Sequence, residues 1–311
     1  MSDATVIAER PGPIGNPVVL RRGPARWLRD PWRKPLFLEG ITWAYLAWSI
    51  LPVTIAIVFS FNRGRSRSSW QGFSLRWWTK DPTSLWRDEA LRAALSQSLK
   101  LAVLTMLVSV PLGVGFAIGI DRWRGRVAST ANFAMLLSFV VPEIILGVSL
   151  LLVFTYTFKN LVQLGTTAQL LGLITFQISY PVIIVRARLL TIGKEFEEAA
   201  MDLGATPTAA VRRVLLPLLY PAIFASAAIV FADTLDDFIT VRYLSGPSNS
   251  EPLAVKIFAA ARSSPTPAVN AAAAALLVGT MFAAILGLLL YRAFSKGQRA
   301  DAAGVTEFAQ L

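Results

Sequence analysis

The chain has no cysteine and no histidine among its 311 residues. These absences exclude a disulfide framework, metal sites built from thiolate or imidazole ligands, and catalysis by imidazole. The sequence also contains no Gly-x-x-x-x-Gly-Lys-Ser/Thr loop that would cradle nucleotide phosphates. We therefore expect that this chain does not hydrolyse ATP by itself and is not an enzyme.

Charged residues are scarce as well, at 16% of the chain against about a quarter in ordinary soluble domains. Apolar residues recur instead in runs of roughly twenty, the length that an α-helix needs to cross about 30 Å of hydrocarbon. Six such runs are present: Ile41–Phe61, Leu99–Ile120, Phe133–Phe154, Ala168–Val185, Pro221–Thr240 and Ala271–Tyr291. The sequence predicts an all-α integral membrane protein with about six transmembrane helices.

The net charge of +11 is distributed in short segments beside the apolar runs, and not over one soluble face. This distribution favours membrane orientation over nucleic-acid binding. Residues 1–40 form a basic N-terminal tail, which the positive-inside rule predicts to be cytoplasmic. The same rule places the C-terminal tail, residues 295–311, inside, so residues 41–294 form the membrane domain of a multi-pass plasma-membrane protein.

One segment opposes this topology. Residues 62–98 are predicted to lie outside, yet they carry seven basic residues: Arg63, Arg65, Arg67, Arg76, Lys80, Arg87 and Arg92. Asp81, Asp88 and Glu89 balance part of that charge, and the tryptophans of the segment suit a membrane interface. We keep the topology because the charge bias is counted over all short loops.

Proline occurs within three of the predicted spans, at Pro111, Pro142 and Pro181. Each proline lacks a backbone donor, which kinks or interrupts a helix. Such breaks are common in transporters. Alternatively, each proline is tolerated in a continuous membrane helix whose neighbours satisfy the freed carbonyl.

The segment 189–217 is too polar to cross the membrane and predicts two short helices. The first covers Ile192–Leu203, and Gly204 stands where a left-handed C-terminal cap is expected. Thr206 and Pro207 then form an N-cap and a first helical position. The segment is either an exposed helical elbow that docks on another protein or an ordinary amphipathic connector.

A resemblance favours docking. The string Glu198-Ala199-Ala200-x-x-x-Gly204, followed by Val214-x-Leu216-Pro217, resembles the E-A-A loop of permease subunits from binding-protein-dependent ABC importers. Val214 stands where isoleucine is usual. In that family the elbow docks into a cleft of the ATPase subunit, so the resemblance implies this coupling role for Glu198, Ala199, Ala200, Gly204 and Pro217.

The resemblance extends from Ile41 to Phe294. Several segments look like the second permease component of the spermidine/putrescine branch: Ser60-Phe61-Asn62, Gly72-Phe73-Ser74-Leu75-Arg76-Trp77, Val141-Pro142-Glu143-Ile144, Val185-Arg186-Ala187-Arg188-Leu189 and Leu235-Asp236-Asp237-Phe238. It implies a type I importer permease (MetI-like) fold. It also implies a second, different permease chain, two cytoplasmic ATPases that bind ATP and magnesium, and an external solute-binding protein, with no cofactor in this chain.

Four carboxylates are candidates for the substrate path: Glu143, Asp233, Asp236 and Asp237. The three aspartates fall at i, i+3 and i+4 of the fifth run, so they are predicted to share one helical face. Counted along their predicted helices, Asp233 lies roughly 18 Å and Glu143 roughly 15 Å from the start, near mid-membrane.

Fixed anions at that depth offset part of a polycation's dehydration cost, which fits a polyamine. The alternative for Asp236 or Asp237 is that it pairs with Arg242 or caps a helix. For the chain as a whole, three rivals stay open: an ABC permease for another small organic solute, an ion-coupled secondary transporter and a membrane-embedded enzyme. The second rival leaves the elbow without a role, and the third lacks a close carboxylate pair on neighbouring motifs.

Overall fold

The computed structural model describes residues 36–66, 69–122, 125–246, 250–263 and 266–308. The helices in chain order are α1 Leu36–Ser60, α2 Glu89–Arg122, α3 Arg126–Val140, α4 Glu143–Leu152, α5 Thr166–Gln177, α6 Ser179–Ile192, α7 Glu195–Asp202, α8 Pro207–Ala210, α9 Leu216–Asp236, α10 Ile239–Tyr243, α11 Leu253–Ser263 and α12 Pro267–Phe308. Single π-helical turns cover Arg76–Lys80, Val153–Thr157 and Val211–Leu215. The described residues form no β-strand, only one isolated bridge between Asn62 and Phe73. The predicted all-α class is confirmed.

Five helical stretches are long and apolar enough to cross a membrane: Phe37–Ser60, Glu89–Arg122, Thr166–Ile192, Pro207–Asp236 and Pro267–Leu289. They coincide with five of the six predicted runs. Within the second and fourth of these stretches, Pro111 and Pro221 lie inside continuous helix. The chain is therefore a multi-pass membrane protein.

The remaining run, Phe133–Phe154, is not one continuous helix: it is interrupted at Pro142, which is one of the two alternatives that the sequence left open for this proline. Helix α3 ends at Val140, and Val141 is extended, with φ −68° and ψ 124°. The cause is Pro142, which has no N–H to continue the helix and disfavours helical dihedrals at the residue before it. A shorter apolar helix, Glu143–Thr157, follows, and the depth of Glu143 counted from Phe133 no longer applies.

The fifth run also ends earlier than predicted. Helix α9 stops at Asp236, and Asp237 has φ −57° and ψ 123°. Asp237 accepts a hydrogen bond from the Val241 N–H, 3.2 Å from its Oδ1, and so caps the short helix α10. The prediction that Asp237 shares a helical face with Asp233 and Asp236 is therefore wrong, because a side chain that bonds the backbone begins a new helix there.

Helix α9 lies at the centre of the packing, against α2, α6 and α12. Buried valine, leucine and alanine side chains join α2, α6 and α9, among them Val110, Val114, Ala117, Val182, Val185, Leu219 and Val230. At Gly113 of α2 a Cβ atom would lie 2.4 Å from Cγ of Pro181. Small residues allow membrane helices this close approach.

The chain divides into two compact units, Met1–Ile55 and Ala56–Leu311. In the first, residues 36–55 are the beginning of α1, and the side chains described there are exposed. Most of the predicted N-terminal tail lies outside the described residues. In the second unit, α12 continues through the predicted C-terminal tail as far as Phe308.

Candidate coupling elbow and substrate path

The polar segment between α6 and α9 folds as two short helices. Gly193, with φ +76°, ends α6 one residue after Ile192, so α7 begins at Glu195 and is shorter than the predicted Ile192–Leu203. Glu195, Glu197 and Glu198 occupy the first turn of α7. Carboxylates at that end complement the positive pole of the helix dipole.

The turn between α7 and α8 has the predicted capping geometry. Gly204 has φ +90°, and its N–H donates to the Met201 carbonyl at 2.9 Å. The Ala205 N–H donates to the Ala200 carbonyl at 3.0 Å. Nothing lies within 4 Å of the Cβ position of Gly204, so glycine is required there by the left-handed backbone and not by crowding.

The start of α8 also matches the sequence pattern. The Ala209 N–H donates to Oγ1 of Thr206 at 3.3 Å, and Pro207 is the first helical residue. Pro217 lies in the first turn of α9. The elbow shape predicted from the sequence is therefore present, while its role as a coupling element stays a prediction.

The elbow exposes apolar side chains. Leu203 at the turn is 90% exposed and Phe196 of α7 is 55% exposed. Glu198 and Ala199 are exposed beside them, and Ala200 is half-buried. Because this segment is too polar to face lipid, its apolar tips are suited to contact with another protein.

Three of the four candidate carboxylates lie in one neighbourhood. The charges of Glu143 and Asp233 both act on Asp237, and both also act on the Tyr180 hydroxyl. Helix α4 brings Glu143 there by packing on α10: a Cβ at Gly147 would lie 3.1 Å from Cδ2 of Tyr243. Tertiary packing thus assembles an acidic group from α4, α9 and the α9–α10 junction.

Asp233 has one side-chain partner, Gln177 of α5, whose Nε2 donates to Oδ2 of Asp233 at 2.7 Å. Gln177 is buried, and its Oε1 has no hydrogen-bond partner among the residues that the structure describes. Sequence reasoning missed both Gln177 and Tyr180. An amide inside an apolar run was the available signal for Gln177.

Asp236 stands apart from this group. It is exposed at the end of α9, and Asp237 is engaged as the cap of α10. Arg242 lies 3.8 Å from Glu251, which also pairs with Lys256 at 2.9 Å. Of the alternatives left open by the sequence, the structure shows a cap at Asp237 and a glutamate partner for Arg242.

A cleft of about 520 Å³ has Ile144, the residue after Glu143, in its wall. Its lining residues are Ile144, Phe238, Ile239, Arg242, Tyr243 and Phe258. The face of the Phe258 ring already receives a cation, because Cζ of Arg262 lies 4.4 Å from the ring centroid. Within the described ranges, no three acidic side chains are arranged to hold a metal ion.

The sequence profile of the family described as "Binding-protein-dependent transport system inner membrane component" matches residues 109–300. The chain belongs to this family. The match includes the elbow and all four candidate carboxylates, and the family is a membrane component of transport systems.

Two curated relatives from Escherichia coli strain K12 are similar over nearly their whole length. The putrescine transport system permease protein PotI is 30% identical over 277 residues, 88% of this chain and 94% of the relative. The spermidine/putrescine transport system permease protein PotC is 32% identical over 266 residues, 86% of this chain and 98% of the relative.

Two solved structures are similar in fold to this chain. A chain of a bacterial ABC transporter that imports the acidic polysaccharide alginate superposes with a TM-score of 0.61 at 16% identity, covering 85% of this chain and 96% of that one. A chain of the MetNI methionine ABC transporter gives 0.52 at 20% identity, covering 65% and 93%. These likenesses show the MetI-like importer permease fold.

Proposed function

We propose that this chain is the pore-forming permease subunit of an ATP-driven importer whose cargo is spermidine or putrescine. The observation that carries the proposal is the elbow of α7, Gly204 and α8, which lies between two spans and presents apolar tips. The two relatives, named as putrescine and spermidine/putrescine permeases, support the cargo.

The assembly that follows contains this chain, a second and different permease chain, two cytoplasmic ATPases and an external solute-binding protein. The ATPases bind ATP and magnesium. The elbow then lies on the cytoplasmic side, both termini are cytoplasmic, and residues 62–98 face outwards. A structure of the alginate transporter in complex with its periplasmic protein is consistent with delivery from outside.

The elbow would couple the ATPase to the pore by shifting the equilibrium between two conformations of the pore. An ATPase pair that closes on ATP binds one orientation of the elbow better than another. The difference in binding free energy between the two orientations sets how far the pore equilibrium shifts. Glu198, Ala199 and Ala200 would face the ATPase, while Gly204 and Pro217 keep the elbow's shape.

The acidic group of Glu143, Asp233 and Asp237 would form part of the path for a polyammonium ion. Each carboxylate offsets part of the cost of removing water from the cation. The rings of Phe238 and Tyr243 add faces that attract ammonium groups. Glu143 is exposed on this chain, which leaves it available to a path shared with the second permease.

The test is reconstitution of this chain with its second permease and ATPase in vesicles, with the solute-binding protein present. We expect spermidine or putrescine to stimulate ATP hydrolysis and radiolabelled cargo to accumulate on the side opposite the binding protein. An ATPase that never associates with the chain contradicts the importer function. An assembly stimulated only by another organic solute contradicts the cargo alone, and uptake driven by an ion gradient without ATP favours a secondary transporter.

A further inference from the structure

The way α7 is attached to the rest of the chain is unusual. Glu197 is its one buried residue, at 8% exposure, while the apolar Phe196 and Met201 are 55% and 39% exposed. A short surface helix ordinarily turns its apolar side chains inward. Here the inward side chain is a carboxylate, so an ionic contact holds α7 to the spans and its apolar side chains stay outside.

The partner of Glu197 is Arg122, the last residue of α2. One guanidinium nitrogen of Arg122 donates to Oε2 of Glu197, and the other donates to Oδ2 of Asp121 at 2.8 Å. The side chains of Arg122, Glu197 and Asp121 are 28%, 10% and 15% exposed. Two carboxylates on one planar guanidinium fix its orientation, which a lysine ammonium does less well.

Helix α2 connects this contact to the far side of the membrane. Its 34 residues extend about 51 Å at 1.5 Å per residue. Near its other end, Nε2 of Gln97 donates to Oε1 of Gln169 at 3.0 Å, and Oγ of Ser98 accepts from the Leu253 N–H at 2.9 Å. A displacement of α7 that is passed to Arg122 therefore moves a rigid element that touches α5 and α11.

We propose that Arg122 is a positioning residue for coupling: it clamps α7 to the inner end of α2, so that movement of the elbow is transmitted along α2. The inference rests on the proposed function, since coupling requires an ATPase on the elbow. The clamp itself is a property of this chain and is measurable without any partner.

The first measurement uses the absence of cysteine in the chain. Spin labels are placed at Gly119→Cys, where nothing lies within 4 Å of the Cβ position, and at the exposed Met201→Cys. We expect a narrow distance distribution that Arg122→Ala broadens. Replacement of Arg292, an exposed arginine of α12 just after the apolar stretch Pro267–Leu289, by alanine should leave the distribution unchanged. An equally narrow distribution in Arg122→Ala overturns the clamp.

The second measurement is cargo-stimulated ATP hydrolysis by the complete assembly. We expect Arg122→Ala and Glu197→Ala each to reduce the stimulation about tenfold with the subunits still associated. The double variant Arg122→Glu with Glu197→Arg, which reverses the ion pair, should return to within about threefold of wild type. A reversed pair that restores nothing in an assembled complex contradicts the proposal.

The two measurements separate the inference from the proposed function. If the wild-type assembly shows no cargo-stimulated hydrolysis, the importer function fails, and the spin-label distances still decide whether Arg122 holds α7. If stimulation is normal in wild type and unchanged in Arg122→Ala, the importer stands and the positioning role of Arg122 is wrong.

Discussion

The elbow and the acidic group differ in how they are built. In the elbow, the bonds that set the α7–α8 turn join residues at most five positions apart, such as the Ala205 N–H and the Ala200 carbonyl. In the acidic group, Gln177 and Asp233 are 56 positions apart, and Glu143 arrives from a third element. The elbow is therefore set by local sequence, and the acidic group by the packing of membrane helices.

This difference has a consequence for function. A locally determined turn keeps its shape when the helices around it move, as an element that docks on a partner must. An acidic group assembled from α4, α9 and α10 changes its spacing whenever those helices move. That behaviour suits a path that must hold a cation in one state and release it in another.

The largest expected effect comes from the elbow turn. Gly204→Val forces a β-branched residue into a left-handed conformation at φ +90°, which L side chains with branched Cβ atoms rarely adopt. We expect cargo-stimulated ATP hydrolysis to fall about fiftyfold, because the elbow loses the shape with which we propose that it docks on the ATPase.

The matched control is Gly72→Val. Gly72 also has positive φ, at +106°, and also has nothing within 4 Å of its Cβ position, but it lies in the segment 62–98. The same backbone strain there should leave stimulation within about twofold of wild type. Equal losses in the two variants would mean that strain alone, and not the elbow, explains the defect.

The same difference explains which features the sequence predicted. Gly204 and Thr206 were assigned correctly because a positive φ and an N-cap are recognised from residues three or four positions away. The interruption at Pro142 was one of two alternatives left open, because proline is recognised locally. The helix boundary at Asp237 was missed because the fifth run was extended through it to Thr240. Gln177 and Tyr180 were missed because only the packing of α5, α6 and α9 places them beside acidic residues.

A smaller effect is expected at Asp233, in the acidic group. Asp233→Asn removes a charge that also acts on Asp237, and Gln177 remains to bond the new amide. We expect uptake of spermidine to fall about tenfold at subsaturating cargo, measured as radiolabelled influx in vesicles.

Asp236→Asn is the control for this charge, because Asp236 is exposed and lies outside the acidic group. Its uptake should stay within about twofold of wild type. If Asp236→Asn is the more damaging of the two, the path follows the exposed end of α9 and not the group around Asp233.

The smallest expected effect concerns Asp81, whose hydrogen-bond partners, like those of the elbow turn, lie close to it in the sequence. Burial raises the pKa of Asp81. The carboxylate also accepts hydrogen bonds from the Thr83 backbone, the Thr83 hydroxyl and Arg76, and it lies beside the Arg76 charge. These contacts outweigh burial and hold the pKa of Asp81 below its usual 3.8. Because the pKa of Asp81 is lower in the folded than in the unfolded chain, the ionised carboxylate stabilises the fold at pH values above the unfolded pKa. That contribution is lost as the pH falls through the folded pKa.

We expect Asp81→Asn to destabilise the purified chain by about 1 kcal/mol at pH 7 and by less near pH 3, measured by thermal unfolding in detergent. A difference between variant and wild type that stays constant from pH 7 to pH 3 would show that the ionised form of Asp81 contributes nothing, and that local contacts shape this loop without its charge.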